Sequence, residues 1–425
     1  MKISINRRQA IKSLALAGTA AATGSFSIGR AMAQSTELTF WTWRQEDRSQ
    51  YTQIFAEFTK KNPDIRVNFQ GYEPQSYGTV LSTALAAGKG ADVLHIKPYG
   101  GTEQFAKAGY LLPLSRETVP ELANFSADAL LSTSMRSDKQ VYAVPFASQT
   151  LGLFINRDIF NRANVQVPET WDQFLEVCRT LKEKGIIPIA NGLNTAFMVE
   201  TLTGVFMPSF HGKDFVREVV AGTTTFEDPR YVGALERLLD LRDFLAPGFS
   251  GIDYPTSQQL FLSGRAAMFA GGSYEIANFR RQNPNLPMEF HAPPAAKPRG
   301  PRFVSLYFDG GYAVNAKTEK KEAALKLVRY MGTKEFGEKL SSLLGNISPI
   351  QGVTTSDPLL TRVSELNASS VPYIMVAYFR FQEPTGSTLL QQSVQKMMGG
   401  QMTPAQVGAE VTRGIANYYE PFKKG

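Results

Sequence analysis

The chain has 425 residues, with 45 Lys and Arg against 38 Asp and Glu, so its formal net charge is +7. Its length exceeds one ordinary domain and predicts two lobes; 43% apolar residues, with 28 Phe and 16 Tyr, supply packed cores and exclude disorder as a description of the whole. A single cysteine, Cys178, excludes a disulfide framework, and the basic balance taken alone points toward nucleic acid or an anionic membrane.

The charge is unevenly placed. Residues 1–33 carry Lys2, Arg7, Arg8, Lys12 and Arg30 and no acid, continue through an Ala-rich apolar run, and close on Ala31-Met32-Ala33 before Gln34. This is the pattern of an export signal. The segment Asn6-Arg7-Arg8-Gln9-Ala10-Ile11-Lys12 resembles a twin-arginine motif, with Asn6 and Ala10 departing from the usual Ser/Thr and Phe; general secretion is the alternative route. Its removal leaves 40 basic and 38 acidic side chains, a net of +2, and the argument for nucleic acid disappears. No later stretch reaches 18 apolar residues, so no membrane span is predicted, and no Cys near the cleavage signal offers a lipid anchor. The expected product is soluble, periplasmic and not lipid-anchored.

Residues 38–43 are β-rich, and Tyr51, Ile54, Phe55 and Phe58 then fall at i, i+3, i+4 and i+7, an amphipathic helix ended by Asn62-Pro63. Residues 65–69 alternate as a strand. Tyr77, Val80, Leu81 and Leu85 mark a second helix that stops at Gly88, and residues 92–96 form the next strand. Strand, helix, strand, helix, strand is the order of a parallel sheet with crossover helices. Further strands are predicted at 141–144, 152–155, 186–190, 266–270, 288–291, 303–308 and 312–315. Thr170-Trp171-Asp172-Gln173 is a capping box, opening a helix with Trp171, Phe174, Cys178 and Leu181 on one face; Cys178 is expected to be a buried bystander. Asp228-Pro229 opens another helix, residues 293–301 form a Pro-rich linker, and helices are predicted near 319–344, 386–398 and 404–419.

Catalytic signatures are missing. G-x-S-x-G, H-E-x-x-H, G-x-x-x-x-G-K-[ST] and G-x-G-x-x-G do not occur, and His95, His211 and His291 are scattered. Acid pairs such as Glu46-Asp47 and Glu227-Asp228 suit glycoside cleavage but more often cap helices. Binding is therefore favoured over catalysis, the rival being a secreted glycosidase or a cofactor enzyme. Trp41 and Trp43 stand at the end of the first strand, followed by Arg44-Gln45-Glu46, where an open α/β sheet presents residues to ligands. Flat aromatic faces pack on the C–H faces of sugar rings, and planar polar side chains meet vicinal hydroxyls in pairs. Alternation assigns Trp41 to the core and Trp43 to the ligand.

At these residues the sequence resembles the family 1 extracellular solute-binding proteins, the sugar-binding components of bacterial ABC importers. The matching pieces appear in family order: Phe40-Trp41; Phe55-Ala56-Glu57-Phe58 with Asn62-Pro63; Gly90-Ala91-Asp92-Val93; Tyr142-Ala143-Val144-Pro145; Phe154-Ile155-Asn156-Arg157-Asp158; Pro168-Glu169-Thr170-Trp171; Phe261-Leu262-Ser263-Gly264-Arg265-Ala266-Ala267-Met268 with Gly271-Gly272-Ser273-Tyr274; and Gly310-Gly311-Tyr312-Ala313-Val314. The resemblance implies an α/β, two-lobed periplasmic-binding-protein fold, each lobe a mainly parallel sheet flanked by helices, with hinge strands between. The first lobe would hold residues 35–146 and 303–345, the second 147–300 and 346–420. It further implies a receptor with no cofactor and no catalytic residue, monomeric, delivering a carbohydrate to membrane permease subunits.

Carried across position by position, the implied ligand-binding residues are Trp43, Arg44 and Gln45 after the first strand, Tyr77 on the second helix, Lys97 and Tyr99 after the third strand, Gln149 at the entry to the second lobe, Asn194 after the strand at 186–190, Tyr274 after Gly-Gly-Ser, Asp309, Gly310 and Gly311 at a turn, and Phe379 and Arg380 late in the second lobe. Arg44, Lys97 and Arg380, with Gln149 in place of an acid, suggest an anionic sugar derivative. A polyamine or iron ligand suits these aromatics and cations less well.

Overall fold

The computed structural model describes residues 35–424; the export signal expected at 1–33 lies outside them. In chain order the strands are β1 (Thr36–Thr42), β2 (Ile65–Gly71), β3 (Val93–Ile96), β4 (Ala143–Pro145), β5 (Ser148–Asn156), β6 (Ile187–Ile189), β7 (Ala266–Gly272), β8 (Met288–His291), β9 (Val304–Phe308), β10 (Gly311–Val314) and β11 (Ser370–Pro372), with helices between most of them.

Two sheets result, one per lobe. In the first, ordered β2-β1-β3-β10-β4, β1 runs parallel to β2 and β3, and β10 lies antiparallel between β3 and β4. In the second, ordered β11-β9-β5-β7-β6 with β8 also on β5, the pairs β11/β9 and β6/β7 are parallel, and β5 is antiparallel to β7, β8 and β9. The sheets are thus mixed where strand and helix alternation predicts mainly parallel ones: strands that enter a lobe from its neighbour arrive against the local direction. All nine residues of β5 are buried, although only Leu151 to Ile155 read as an apolar run; Ser148, Gln149, Thr150 and Asn156 are buried polar residues.

The helix Arg48–Lys61 buries Tyr51, Ile54, Phe55 and Phe58 against Phe40 of β1 and Tyr312 of β10, and the Tyr51 and Tyr312 hydroxyls share a hydrogen bond of 2.7 Å. In the second lobe, Thr170 and Gln173 form the expected reciprocal capping box, and the helix Trp171–Glu183 packs Trp171, Phe174, Cys178 and Leu181 into a core with Phe206 and Phe215. Cys178 is fully buried, and burial pushes its thiol well above the usual range. The helix expected across 319–344 is two, Lys321–Met331 and Lys334–Ser342, divided where the Thr333 hydroxyl caps the second. No helix among the described residues is long and apolar enough to cross a membrane.

The chain passes between the sheets beside itself. Asp309 N donates to Ala147 O and Phe146 N to Gly310 O, both at 2.9 Å, so the β4–β5 and β9–β10 crossings are hydrogen-bonded side by side. A third segment joins them where Ser148 N donates to Ile347 O at 2.9 Å. Strand β9, expected in the first lobe, belongs to the second sheet; the crossing falls at Asp309-Gly310, where Gly310 has φ +86°, and not in the Pro-rich stretch before it. A side chain at Gly310 would also overlap the Ile96 carbonyl, so glycine is required there on two counts.

Candidate functional site

Between the lobes lies a cavity of about 540 Å³ lined from both sides. The first lobe contributes Trp43, Arg44, Gln45 and Glu46 from beyond β1, Glu73 and Gln75, and Lys97 and Pro98 from beyond β3. The second contributes Leu151 of β5, Phe197 and Thr201, Tyr254 and Gln258, Tyr274 and Glu275 after β7 with Asn278 and Gln282, Tyr307 of β9, and Tyr373, Val376 and Arg380; Asp309 stands at the crossing. Trp43 to Glu46, Lys97, Pro98 and Tyr274 follow the ends of β1, β3 and β7, where the topology leaves side chains without a neighbouring strand.

The Trp43 ring stacks on His95 of β3, centroids 3.8 Å apart, and the Lys97 ammonium lies 3.5 Å from its centre. The alternation argument fails here, because positions 41 and 43 are two apart and would fall on the same side of a strand. Leu38, Phe40 and Thr42 are the buried face of β1, and Trp41 is half-buried against the edge of Tyr72. Trp43 lies past the strand's end, only 4% exposed, and reaches the cleft with the rim of its ring. His95 is buried, shares a 2.9 Å hydrogen bond with the Thr42 hydroxyl, and is held well below its usual range by desolvation and by Lys97 and Arg44. It is a neutral support for Trp43.

The cations are largely spoken for. Arg44 is buried; its Nε donates to Asp47 Oδ2 at 2.5 Å and Glu46 lies 3.6 Å from its Nη2. Burial alone would lower its pKa, but the two carboxylates raise it overall. Arg380 donates to the fully buried Glu200 at 2.8 Å, and Glu200 also accepts from Ser387 and Gln391. Desolvation works against the Arg380 charge, and Glu200 outweighs it. Lys97 differs. Its surface is open to the cavity, yet enclosure by the cleft walls brings its ammonium down to about 8, opposed by Asp309 and reinforced by Arg380 and Arg44.

The opposite wall carries aromatic pairs and a carboxyl. Phe197 and Tyr254 meet edge to face at 5.0 Å, and Tyr307 and Tyr373 lie 5.5 Å apart. The Tyr254 hydroxyl donates to Glu275 Oε1 at 2.7 Å and Gln258 Nε2 to Oε2 at 2.8 Å. Despite these donors, desolvation raises Glu275 to about 7.

Of the residues expected to bind ligand, Trp43, Arg44, Gln45, Lys97, Tyr274, Asp309 and Arg380 are brought together in this cavity. The others lie outside its lining. Tyr77 is buried with its hydroxyl near the Trp41 and His95 carbonyls, at 3.1 and 2.8 Å, as a strut beneath the site. Tyr99 faces a separate cavity of about 480 Å³ on the far side of Tyr307. Gln149 is fully buried and ties the crossings together, donating to Asn346 at 2.8 Å and accepting from Ser273 at 2.7 Å. Asn194 is exposed, its N–H donating to Ile252 O. Gly310 and Gly311 serve the turn and the start of β10. Phe379 is core, against Tyr419 and Phe226. Sequence reasoning missed Phe197, Thr201, Tyr254, Glu275, Tyr307 and Tyr373. Two had a usable signal: Tyr307 is two residues from Asp309 along one strand direction, and Glu275 follows Tyr274 at a helix start.

Two α/β lobes, three adjoining crossings and a walled cleft between them define a solute receptor of the hinged, two-lobed class. The chain belongs to the bacterial extracellular solute-binding protein family, whose model matches residues 42–338. It is similar to the multiple sugar-binding protein of Streptococcus mutans, 24% identical over 74% of this chain and 75% of that one, and to the maltotriose-binding protein of Pyrococcus abyssi, 26% identical over 76% and 68%. Its fold is similar to that of a chitin oligosaccharide binding protein, with a TM-score of 0.77, 23% identity, and 90% of this chain and 99% of that one covered.

Proposed function

We propose that this protein is the carbohydrate receptor of a bacterial ABC importer, taking an uncharged saccharide in the cleft and presenting it to the permease subunits. The observation that carries this reading is the composition of the cleft: Phe197, Tyr254, Tyr274, Tyr307 and Tyr373 supply flat faces, Trp43 adds the rim of its ring, and Gln45, Gln75, Gln258, Asn278 and Gln282 supply paired donors and acceptors. The names of the relatives, which bind multiple sugars, maltotriose and chitin oligosaccharide, support it.

A neutral ligand is favoured over the anionic one suggested by the count of cations, because Arg44 and Arg380 are matched by Asp47 and Glu200 inside the fold. Glu46, Glu73 and Asp309 also line the cavity. An added anion would meet one uncompensated ammonium, Lys97, against these carboxylates. The protein works in the periplasm, as a monomer without nucleic acid, after loss of residues 1–33.

A thermal-shift panel of neutral oligosaccharides, monosaccharides, polyols and acidic sugars tests the reading. A neutral saccharide at a hundred times its Kd is expected to stabilise the protein by about 2.7 kcal/mol. A response confined to acidic sugars, silence across the panel, or turnover of a bound glycoside overturns it.

A further inference from the structure

Asp47 is fully buried and closes the short turn Gln45–Asp47 that follows β1 in the first lobe. Both of its oxygens face guanidinium groups. Oδ2 accepts from Arg44 Nε at 2.5 Å, and Oδ1 lies 3.2 Å from Arg281 Nη2. Arg44 lines the cleft from the same lobe. Arg281 belongs to the other lobe, near the end of the helix Glu275–Gln282, which also sends Glu275, Asn278 and Gln282 into the cleft.

We propose that Arg281 is a positioning residue for solute binding, coupling lobe closure to the orientation of Arg44 through the shared carboxylate of Asp47. Separation of the lobes withdraws Arg281 and leaves the buried carboxylate with Arg44 alone, so the pair opposes opening. In the closed form the carboxylate lies between two guanidinium groups, hydrogen-bonded to Arg44 and ion-paired, without a hydrogen bond, to Arg281. That fixes the Arg44 side chain, aims its remaining donors at the cleft, and keeps its charge matched so that the solute need not supply one. The same helix thus lines the cleft through Glu275, Asn278 and Gln282 and clamps the opposite lobe through Arg281. The proposal rests on the receptor reading of the cleft.

The test compares wild type with Arg281→Gln, Arg281→Lys and Asp47→Asn. Spin labels at Lys60→Cys and Lys184→Cys, one on each lobe, give the interlobe distance distribution by double electron–electron resonance, with and without maltotriose as the probe. Arg281→Gln is expected to reduce the short-distance population and to weaken maltotriose binding about tenfold through faster release, in proportion to the lost closed fraction. Its unfolding midpoint without sugar should stay near wild type. Arg281→Lys should recover part of the closed population, and Asp47→Asn should reproduce the Gln variant. Wild-type distance distributions in Arg281→Gln overturn the proposal. Failure of maltotriose and the whole saccharide panel to bind wild type overturns the receptor reading instead, and the ligand-free distributions still decide the clamp.

Discussion

The Lys97 ammonium sits 3.5 Å from the centre of the Trp43 ring, which is itself stacked on a neutral His95. A cation over an indole at a partly open site contributes about 0.5–1 kcal/mol and competes for the face that a sugar ring would use. Solute that engages this wall must therefore move Lys97 or pass beside it, and either changes the surroundings of Trp43. Saccharide binding is expected to alter tryptophan emission, and Trp43→Phe to abolish that change while retaining the far-ultraviolet circular dichroism of the wild type. An unaltered emission response in Trp43→Phe would assign the signal to Trp41 or Trp171.

Glu275 makes stability depend on pH. Its folded value is raised to about 7, chiefly by desolvation and also by Glu46 across the cleft, against the donors Tyr254 and Gln258 and the charge of Arg44. A carboxyl raised on folding binds more protons in the native than in the unfolded state between its two pKa values. Its contribution is thus fully present below pH 4.5 and is lost as pH rises through 7. Glu275→Gln should flatten the decline of stability over that window and gain up to about 3 kcal/mol relative to wild type at pH 8. Urea midpoints measured from pH 4.5 to 8 give the two slopes; parallel profiles sink the assignment.

Arg380 and Glu200 form a pair of unequal exposure, the acid fully buried and the guanidinium about a third open. Removing the cation leaves Glu200 with only Ser387 and Gln391 as donors. Arg380→Met is expected to lower stability by about 3 kcal/mol, and Arg380→Met with Glu200→Gln by less than that single change, since an uncompensated buried charge costs more than an uncharged replacement of both partners. Denaturant titration of the two variants settles the order.

Gly100 admits the second lobe closely enough that a β-carbon built there would lie 1.8 Å from the Arg380 carbonyl oxygen. The clash is between lobes and not within one, so Gly100→Ala should resist closure more than folding. The expected result is a thermal midpoint within a few degrees of wild type in the absence of sugar and a loss of affinity of tenfold or more; scattering that still contracts on sugar addition contradicts it.

The regular elements were readable because their signals are local. Tyr51, Ile54, Phe55 and Phe58 repeat at helical spacing, and Thr170 and Gln173 close a box that needs no tertiary partner. Elements enclosed on all sides were not readable: the helix Ala196–Phe206 buries Met198 through Phe206 without a polar stripe, so its period is invisible, although it supplies Phe197 and Thr201 to the cleft. The pairing of charges is equally hidden. Arg380 and Glu200 are 180 residues apart, and from sequence each counts as a free charge. Expected site residues at strand ends, such as Lys97 and Asp309, reached the cleft because position along a strand is a local property. Tyr77, Gln149 and Phe379 did not, because which way a buried polar or aromatic residue turns is decided by neighbours distant in sequence.

The antiparallel insertion of β10 between β3 and β4 also sets a schedule. Strands β3 and β4 of the first sheet, although encoded before residue 146, keep unpaired edges until residues 311–314 of the 425 have been synthesised. During that interval the nascent chain carries two open β edges together with a second lobe that is itself still incomplete. Nothing resembling half a receptor can mature ahead of the rest, so truncated products of this gene should be substrates for chaperones and proteases and not working binding modules.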